Sequence, residues 1–298
     1  MENNFKSAFI GIVGSPNVGK STIINYLIGR KVAIVSHKPQ TTRSRISGIL
    51  TKGDYQMIFL DTPGIAEPKN KLGEFMVKTA YESTRDVDAV LFVIDLKYGI
   101  GKRDLDILSK LMKGNSPIVV ALNKIDVAKK QDITNAINIL NDNGIDEHIF
   151  SISAQTGEGM DELLVLLKSY LTEGPMYYPK NMISDQPEKQ VVSEIIREKT
   201  LHLLNEEVPH GVGIEIIKIT PRTDKEIVDV EATIFCERES HKGIIIGKGA
   251  NMLKQIGSNA RLDIQMLYGK QVFLKLFVKV KANWRDTNRG LQDLGFKE

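Results

Sequence analysis

The sequence of 298 residues contains a single cysteine, Cys236. One thiol forms no intrachain disulfide and supplies no multi-cysteine metal site. Set in a strand-like run, it reads as a buried structural thiol in a protein of a reducing compartment. Also lacking is any apolar run near the ~18 residues of a membrane-spanning helix, so an integral membrane protein is not expected. The opening Met1-Glu-Asn-Asn is no signal peptide. A third shortage is local. Between Lys242 and Arg289 ten Lys or Arg stand against two acids, Asp263 and Asp286, although the whole chain carries a net charge of only +3. A solvated basic face normally intersperses acids, so this tract suits a polyanionic partner. What remains is ordinary globular composition, 42% hydrophobic and 26% charged, with length for two domains.

One stretch near the start organises the rest. An apolar run from Ala8 to Val13 reads as a buried strand and Thr22 to Leu27 as the start of a helix. Between them lie Gly14, Ser15, Pro16, Asn17, Val18, Gly19, Lys20 and Ser21. Strand, glycine-bounded loop and helix are the context of a phosphate-binding P-loop. Backbone N–H groups turn inward to an anion, the helix N-terminus adds its positive end, Lys20 reaches the β- and γ-phosphates, and Ser21 is placed to ligate Mg²⁺.

The first half goes on in the strand–helix rhythm of a parallel α/β sheet with helices on both faces. Strands are expected at Tyr55–Leu60, Ala89–Ile94, Pro117–Leu122 and Phe150–Ser153, and Leu163, Leu164, Leu167 and Leu171 give a closing helix its apolar face. Three of these strands end at polar signatures: Asp61-Thr62-Pro63-Gly64, Asn123-Lys124-Ile125-Asp126 and Ser153-Ala154. Ligands of open α/β sheets bind past the carboxyl ends of strands, so these stretches should converge on one crevice. Asp61 is placed like the acid that holds Mg²⁺, and at Gly64 a backbone N–H could meet the γ-phosphate with no Cβ in the way. The Asp126 carboxylate can accept from N1–H and the 2-amino group of guanine, a donor pair adenine lacks. Asn123 would bond the base or brace the loop, the Lys124 stem would lie over the ring, and the Ser153-Ala154 backbone would donate to guanine O6.

Together with Lys38-Pro-Gln-Thr-Thr-Arg43, these motifs resemble the translation-factor-related GTPases, and most closely the Era family. The resemblance implies a GTPase domain over 8–172, with GTP bound by Gly14 to Thr22, Asp61 to Ile65, Asn123 to Asp126 and Ser153-Ala154. It implies Mg²⁺ held by Ser21, Thr42 and Asp61, with Thr42 rather than Thr41 as the switch threonine, and catalysis resting on Lys20, Thr42 and Gly64. Where Ras-like enzymes carry a water-orienting glutamine, this chain has Ile65, so unassisted hydrolysis should be slow. In some relatives an asparagine matching Asn17 helps hold K⁺ near the phosphates; here Asn17 either does this or caps the loop.

The stretch 173–187, with Pro175, Pro179, Pro187 and Gly174 and no periodicity, reads as a linker. Beyond it the expected order is a helix with Val192, Ile195, Ile196 and Leu203 on one face, strands Gly213–Thr220 and Ile227–Phe235, and a helix–turn–helix at His241–Ala250. The second of those helices carries Leu253, Ile256, Ala260, Ile264 and Leu267, and an alternating strand Val272–Lys281 follows. This order resembles an α+β KH domain of type II over 188–285, followed by a tail 286–298. In such a domain a Gly-x-x-Gly loop clamps a single-stranded backbone. Gly247-Lys248-Gly249-Ala250 departs from that pattern by an alanine, so either Gly249 makes the close approach or the contact is looser. The expected RNA-binding residues are Gly247, Lys248, Gly249, Lys254 and Lys275. Trp284 would complete the RNA groove or simply pack.

By resemblance the chain is a cytoplasmic, monomeric GTPase that binds 16S ribosomal RNA near its 3′ end and assists assembly of the small ribosomal subunit, with peripheral contact to the inner face of the membrane. The competing reading is a membrane-associated regulatory GTPase whose basic tract, with Phe273 and Phe277 among its lysines, reads anionic lipid. An RNA-binding protein with a vestigial nucleotide site is disfavoured, since only the glutamine position is altered.

Overall fold

Runs that are apolar at every position can be buried on both faces, and they build the centre of the first sheet. β4 (Ala89–Asp95) is buried at all seven residues, and β1 (Lys6–Gly14) at all but its first residue and Phe9. The computed structural model describes residues 5–36, 38, 40–145, 148–222 and 226–296. Two compact units divide at Asp185–Gln186, with the short stretch Lys69–Leu72 grouped with the second.

In the first unit α1 (Lys20–Ile28), β2 (Ile46–Lys52), β3 (Tyr55–Asp61) and α2 (Lys71–Glu82) follow β1. After β4 come α3 (Lys102–Leu111), β5 (Ile118–Asn123), α4 (Lys130–Asp142), β6 (Ile149–Ile152), α5 (Met160–Lys168) and the two-residue β7 (Thr172–Glu173). The strand order is β2-β3-β1-β4-β5-β6, with β7 beside β1. All pairings are parallel except β2–β3 and β1–β7. Ile23, Ile24 and Leu27 of α1 and Met160, Leu163 and Leu167 of α5 pack on one face with Ile10, Ile12 and Leu91. Ala80 of α2, Ile107, Leu108 and Leu111 of α3 and Ala136 and Leu140 of α4 pack on the other with Phe92, Ile94 and Leu122. The expected parallel α/β sheet is present, with each expected strand within two residues of its place. Strand β2 was not expected. Ile46-Ser-Gly-Ile-Leu-Thr-Lys follows a polar stretch and is broken by Gly48, and only antiparallel pairing with β3 makes it a strand.

In the second unit α6 (Glu188–Leu203), β8 (Gly213–Pro221), β9 (Ile227–Cys236), α7 (Glu239–Ile246), α8 (Asn251–Tyr268) and β10 (Gln271–Val280) precede a short α9 (Asn288–Asp293). The sheet order is β10-β9-β8, parallel between β10 and β9 and antiparallel between β9 and β8. Val192, Ile196, Ile256, Ala260, Ile264 and Val272 share one core, joined by the inward-facing Leu274, Leu276, Val278 and Val280. Leu267, expected on the buried face of α8, is 48% exposed because the helix ends one residue later at the left-handed Gly269. Cys236 is buried, and burial pushes its thiol pKa up. Trp284 is fully buried, donates from Nε1 to Gly211 O at 2.9 Å and stacks on Phe296, so it packs the tail against its own unit.

Most of the stretch read as a linker is strapped to the first sheet. Tyr177 lies edge-on to Phe9, and the Gln56 amide donates to Tyr178 O and accepts from Tyr178 N–H. Ile49 N–H donates to Ile183 O at 2.9 Å, Gly48 bridges Ser184, and Ser47 Oγ donates to Asp185 Oδ2 at 2.8 Å. Residues 183–185 thereby cover the outer edge of β2, whose unpaired backbone groups would otherwise be an open edge.

Asp185 also accepts from Tyr178 OH, so Asp185→Ala removes two bonds and leaves the buried Ser47 hydroxyl without its carboxylate. The expected loss is about 1–3 kcal/mol, read as faster protease cleavage within 173–185. Cleavage at the parent rate would show that the strap is held by its backbone bonds alone.

Candidate nucleotide site and nucleic-acid surface

The ends of β1, β3, β4 and β5 open on a cleft of about 910 Å³ lined by Ser15 to Thr22, Thr41, Thr42, Thr62, Gly64, Asn123, Lys124, Asp126 and Ala154. Of the sequence-derived set, Gly14, Asp61, Pro63, Ile65, Ile125 and Ser153 lie behind this wall. Lys20 is buried, and its Nζ donates to Gly14 O and Ser15 O at 3.2 and 3.0 Å. Its ammonium therefore lies inside the curl of the loop. Gly64 has a reason beyond phosphate approach: a Cβ there would stand 2.6–2.9 Å from Pro16 atoms, so the glycine lets β3's end pack on the P-loop. Ile65 donates its N–H to Gly14 O at 3.0 Å and turns its side chain into the core, where it cannot orient water.

Three oxygens meet beside the P-loop. Ser21 Oγ lies 2.8 Å from Asp61 Oδ2 and 3.1 Å from Thr42 Oγ1, and Thr42 Oγ1 lies 3.3 Å from Asp61 Oδ2. The neighbouring Thr41 hydroxyl instead donates to Lys38 O. Positions 37 and 39 of this segment lie outside the described residues. Asp61 Oδ1 is buried and has no hydrogen-bond partner. Burial pushes Asp61 up to about 6, against the pull of Lys20, and pushes Lys20 down to about 8. A buried oxygen cluster with an orphaned carboxylate atom is a donor set that fits a hard divalent cation.

The guanine-side loops grip the P-loop rather than waiting for a base. Asn123 is 2% exposed. Its Nδ2 donates to Val18 O at 2.7 Å and its Oδ1 accepts from Ala154 N–H at 3.0 Å, so it braces. The Ser153 N–H donates to Glu158 O. Both N–H groups expected to meet guanine O6 are thus bonded within the protein. Ser153 Oγ donates to Asp126 Oδ1 at 2.6 Å, which aims the exposed Asp126 carboxylate. Lys124 Nζ donates to Asn17 O at 2.8 Å and pairs with Asp95 at 2.5 Å. Asp95 was missed, as were Lys97, Tyr98, Lys102, Arg103 and Asp104 on the same wall. Asp104 Oδ1 accepts from Ser15 Oγ at 2.7 Å. The signal for Asp95 was available, since it ends β4 as Asp61 ends β3.

In the second unit the α7–α8 turn is Gly247-Lys248-Gly249-Ala250, closed by Ala250 N–H on Gly247 O. Gly247 has φ 72°, and a Cβ there would stand 2.8 Å from Met252 Cβ, so this glycine serves the turn's packing. Gly249, with φ 61°, has open space where a Cβ would go. Ala250 also adopts φ 61°, a left-handed conformation that a Cβ disfavours. The fold also redistributes the basic tract. Lys242, Lys270, Lys275, Lys281 and Arg285 pair with Glu239, Glu226, Glu231, Asp293 and Glu237. Among the described residues Lys248, Lys254 and Arg261, on the turn and α8, take no ion pair. Lys275 stands on the sheet face turned away from the helices, so it is not brought together with Lys248 and Lys254.

A family model of 50S ribosome-binding GTPases matches residues 9–124, and a KH-domain model matches 207–285. GTPase Era of Clostridioides difficile is 51% identical over 99% of both chains. The chain belongs to the Era GTPase family. GTPase Era of Alkaliphilus oremlandii is 50% identical over 98% of this chain and 99% of its own. A crystal structure of Era in complex with MgGDPNP and nucleotides 1506–1542 of 16S ribosomal RNA is 38% identical. It superposes with a TM-score of 0.95 over 99% of this chain and 100% of that one. Aquifex aeolicus Era bound to GDP and AlF4⁻, also 38% identical, covers the same shares with a TM-score of 0.94. As an Era-family GTPase the chain joins a P-loop GTPase unit to a C-terminal KH unit.

The left-handed alanine makes a stability prediction for the KH unit. Ala250→Gly should raise its stability by about 1 kcal/mol by relieving the Cβ. Gly247→Ala should lower it by at least as much, since it adds both the strain and the clash with Met252. Thermal melting of the variants checks both; an unstable Ala250→Gly would mean that the alanine side chain packs usefully.

Proposed function

We propose that this GTPase binds the single-stranded 3′ end of 16S ribosomal RNA through the α7–α8 turn and serves assembly of the small ribosomal subunit. The observation that carries the proposal is the likeness, over 99% of the chain, to an Era captured with MgGDPNP and that RNA. The working parts are a GTPase domain over 8–172 and a KH domain over 188–285, with 286–298 as its tail. Gly249 offers the open backbone, and Lys248 and Lys254 supply charge to phosphates. We further propose that it acts in the cytoplasm as a monomer.

The reaction is attack of water on the γ-phosphorus. The bond to the β–γ bridging oxygen breaks, GDP leaves, and the water's proton passes to solvent. Lys20 neutralises β- and γ-oxygens from inside the P-loop. Ser21, Thr42 and Asp61 would hold Mg²⁺, which would supply positive charge against the developing charge of the phosphates. Thr42 ties the 35–44 segment to that corner, so loss of the γ-phosphate releases the segment. Asp126 selects guanine. With Ile65 in the core, hydrolysis by the protein alone is slow, on the order of 10⁻⁴ to 10⁻² s⁻¹. The Asn17 side chain on the cleft wall is assigned to K⁺, whose charge would take part of an arginine finger's role.

Two measurements test this reading. Replacing K⁺ by Na⁺ should slow hydrolysis in the parent and have no effect in Asn17→Ala; a parent indifferent to the cation leaves Asn17 as a loop brace. In a salt titration of 16S 3′-end RNA binding, Lys248→Ala should weaken affinity and flatten the log–log slope by somewhat under one unit, near the ~0.7 of one single-strand phosphate. An unchanged slope would move RNA off the turn.

Peripheral membrane contact is a second reading, favoured by the exposure of Phe273 (55%) and Phe277 (37%), which alternate with Lys275 and Lys279 on the open sheet face. If that face meets lipid, Phe273→Ser should abolish sedimentation with anionic vesicles.

A further inference from the structure

Asp95 belongs to none of the motifs that mark the nucleotide site, yet it is bonded to one of them. It ends β4 directly opposite Asn123, the last residue of β5, so its side chain leaves the sheet beside the guanine loop. The carboxylate is 8% exposed. Oδ1 accepts from Lys97 N–H at 3.0 Å, and Oδ2 holds Lys124 Nζ at 2.5 Å. The same ammonium donates to Asn17 O at 2.8 Å. Asp95, Lys124 and Asn17 thus form one bonded chain across the β4–α3 loop, the guanine loop and the P-loop. Lys124 and Asn17 both sit at positive φ, 71° and 64°. Side-chain-bearing residues disfavour that region and persist there only when neighbours over-determine them.

We propose that Asp95 is a positioning residue for guanine nucleotide. Through Lys124 it locks the guanine loop to the P-loop, so that base and phosphates are gripped as one unit and the nucleotide's dwell time is set. Charge explains why an acid is needed. The wall around Lys124 carries Lys97, Lys102 and Arg103, with Lys20 inside the P-loop. Among these cations an ammonium held only by a neutral carbonyl would turn to solvent, taking its stem off the base. The other acids on this wall are engaged elsewhere, Asp104 by Ser15 and Gly101 N–H and Asp126 by the Ser153 hydroxyl.

The bland alternative is that Asp95 only caps its own turn through Lys97 N–H. Asparagine accepts that bond as well as aspartate does but brings no charge to Lys124, so Asp95→Asn separates the two roles. This inference rests on the guanine-nucleotide reading above. The experiment is release of fluorescent GDP from the full chain, chased with unlabelled GDP, for the parent, Asp95→Asn, Lys124→Ala and the double variant.

Asp95→Asn should release GDP about tenfold faster, with KM for GTP rising far more than kcat changes. The double variant should release no faster than Lys124→Ala, because the two act through one bond. Asp95→Glu should recover part of the loss. Release from Asp95→Asn at the parent rate, or single effects that multiply in the double variant, would overturn the proposal. Thermal melting of each variant without nucleotide identifies a variant that fails to fold, and Asp95→Glu then carries the test. A parent that retains no GDP would instead overturn the nucleotide reading itself.

Discussion

The nucleotide unit depends on two P-loop carbonyls, those of Asn17 and Val18, being held from the guanine loop. A phosphate-binding loop must present N–H groups inward, so its carbonyls point out and need partners. Here Asn123 and Lys124 supply them, and Asp104 fixes the Ser15 hydroxyl from α3. The loop that reads the base is therefore the loop that shapes the phosphate nest. On the proposed reading of Asp126 as the guanine selector, base recognition and phosphate binding are one structural event, with the Asn-Lys-x-Asp motif at the end of β5 next to β4.

The second constraint is electrostatic. Lys20 and Asp61 are both buried, and burial disfavours the charged form of each. Polyphosphate and a divalent cation relieve both at once, so ligand binding completes an arrangement that the protein alone holds at a cost. Thr42 sits within reach of that corner, and β2 begins four residues later. The strand that leaves the switch segment is the one whose edge carries residues 183–185. A change at the cation corner therefore has a short route, along the chain into β2 and across its hydrogen bonds, to the last residues of the first unit.

Much of this was legible in the chain. The P-loop, the strand-end signatures and the apolar face of α5 follow local rules of spacing, and those rules held wherever a feature depended on neighbours in sequence. They failed where a feature depends on a distant partner. Strand β2 exists because β3 lies beside it, and 183–185 is ordered because β2 needs an edge partner. The basic tract looked nearly free of acids because its counter-charges, Glu226, Glu231, Glu237, Glu239 and Asp293, come from strand, turn and helix positions outside it. Three-dimensional pairing leaves without an ion pair, among the described residues, Lys248, Lys254 and Arg261 on the turn and α8, with Lys279 and Arg289 elsewhere. Ala250 shows the reverse: the departure was visible in sequence, but its meaning needed the backbone angle.

The central claim is that one chain couples a guanine-nucleotide switch to an RNA-binding KH unit. The most direct measurement is the affinity of the full chain for the 16S 3′-end strand, with a non-hydrolysable GTP analogue and then with GDP. The account predicts tighter binding with the analogue, by about fivefold or more, the lower range of typical coupling between sites. A scrambled strand of equal length should show no such difference. Equal affinity for the 3′-end strand in the two nucleotide states would contradict it.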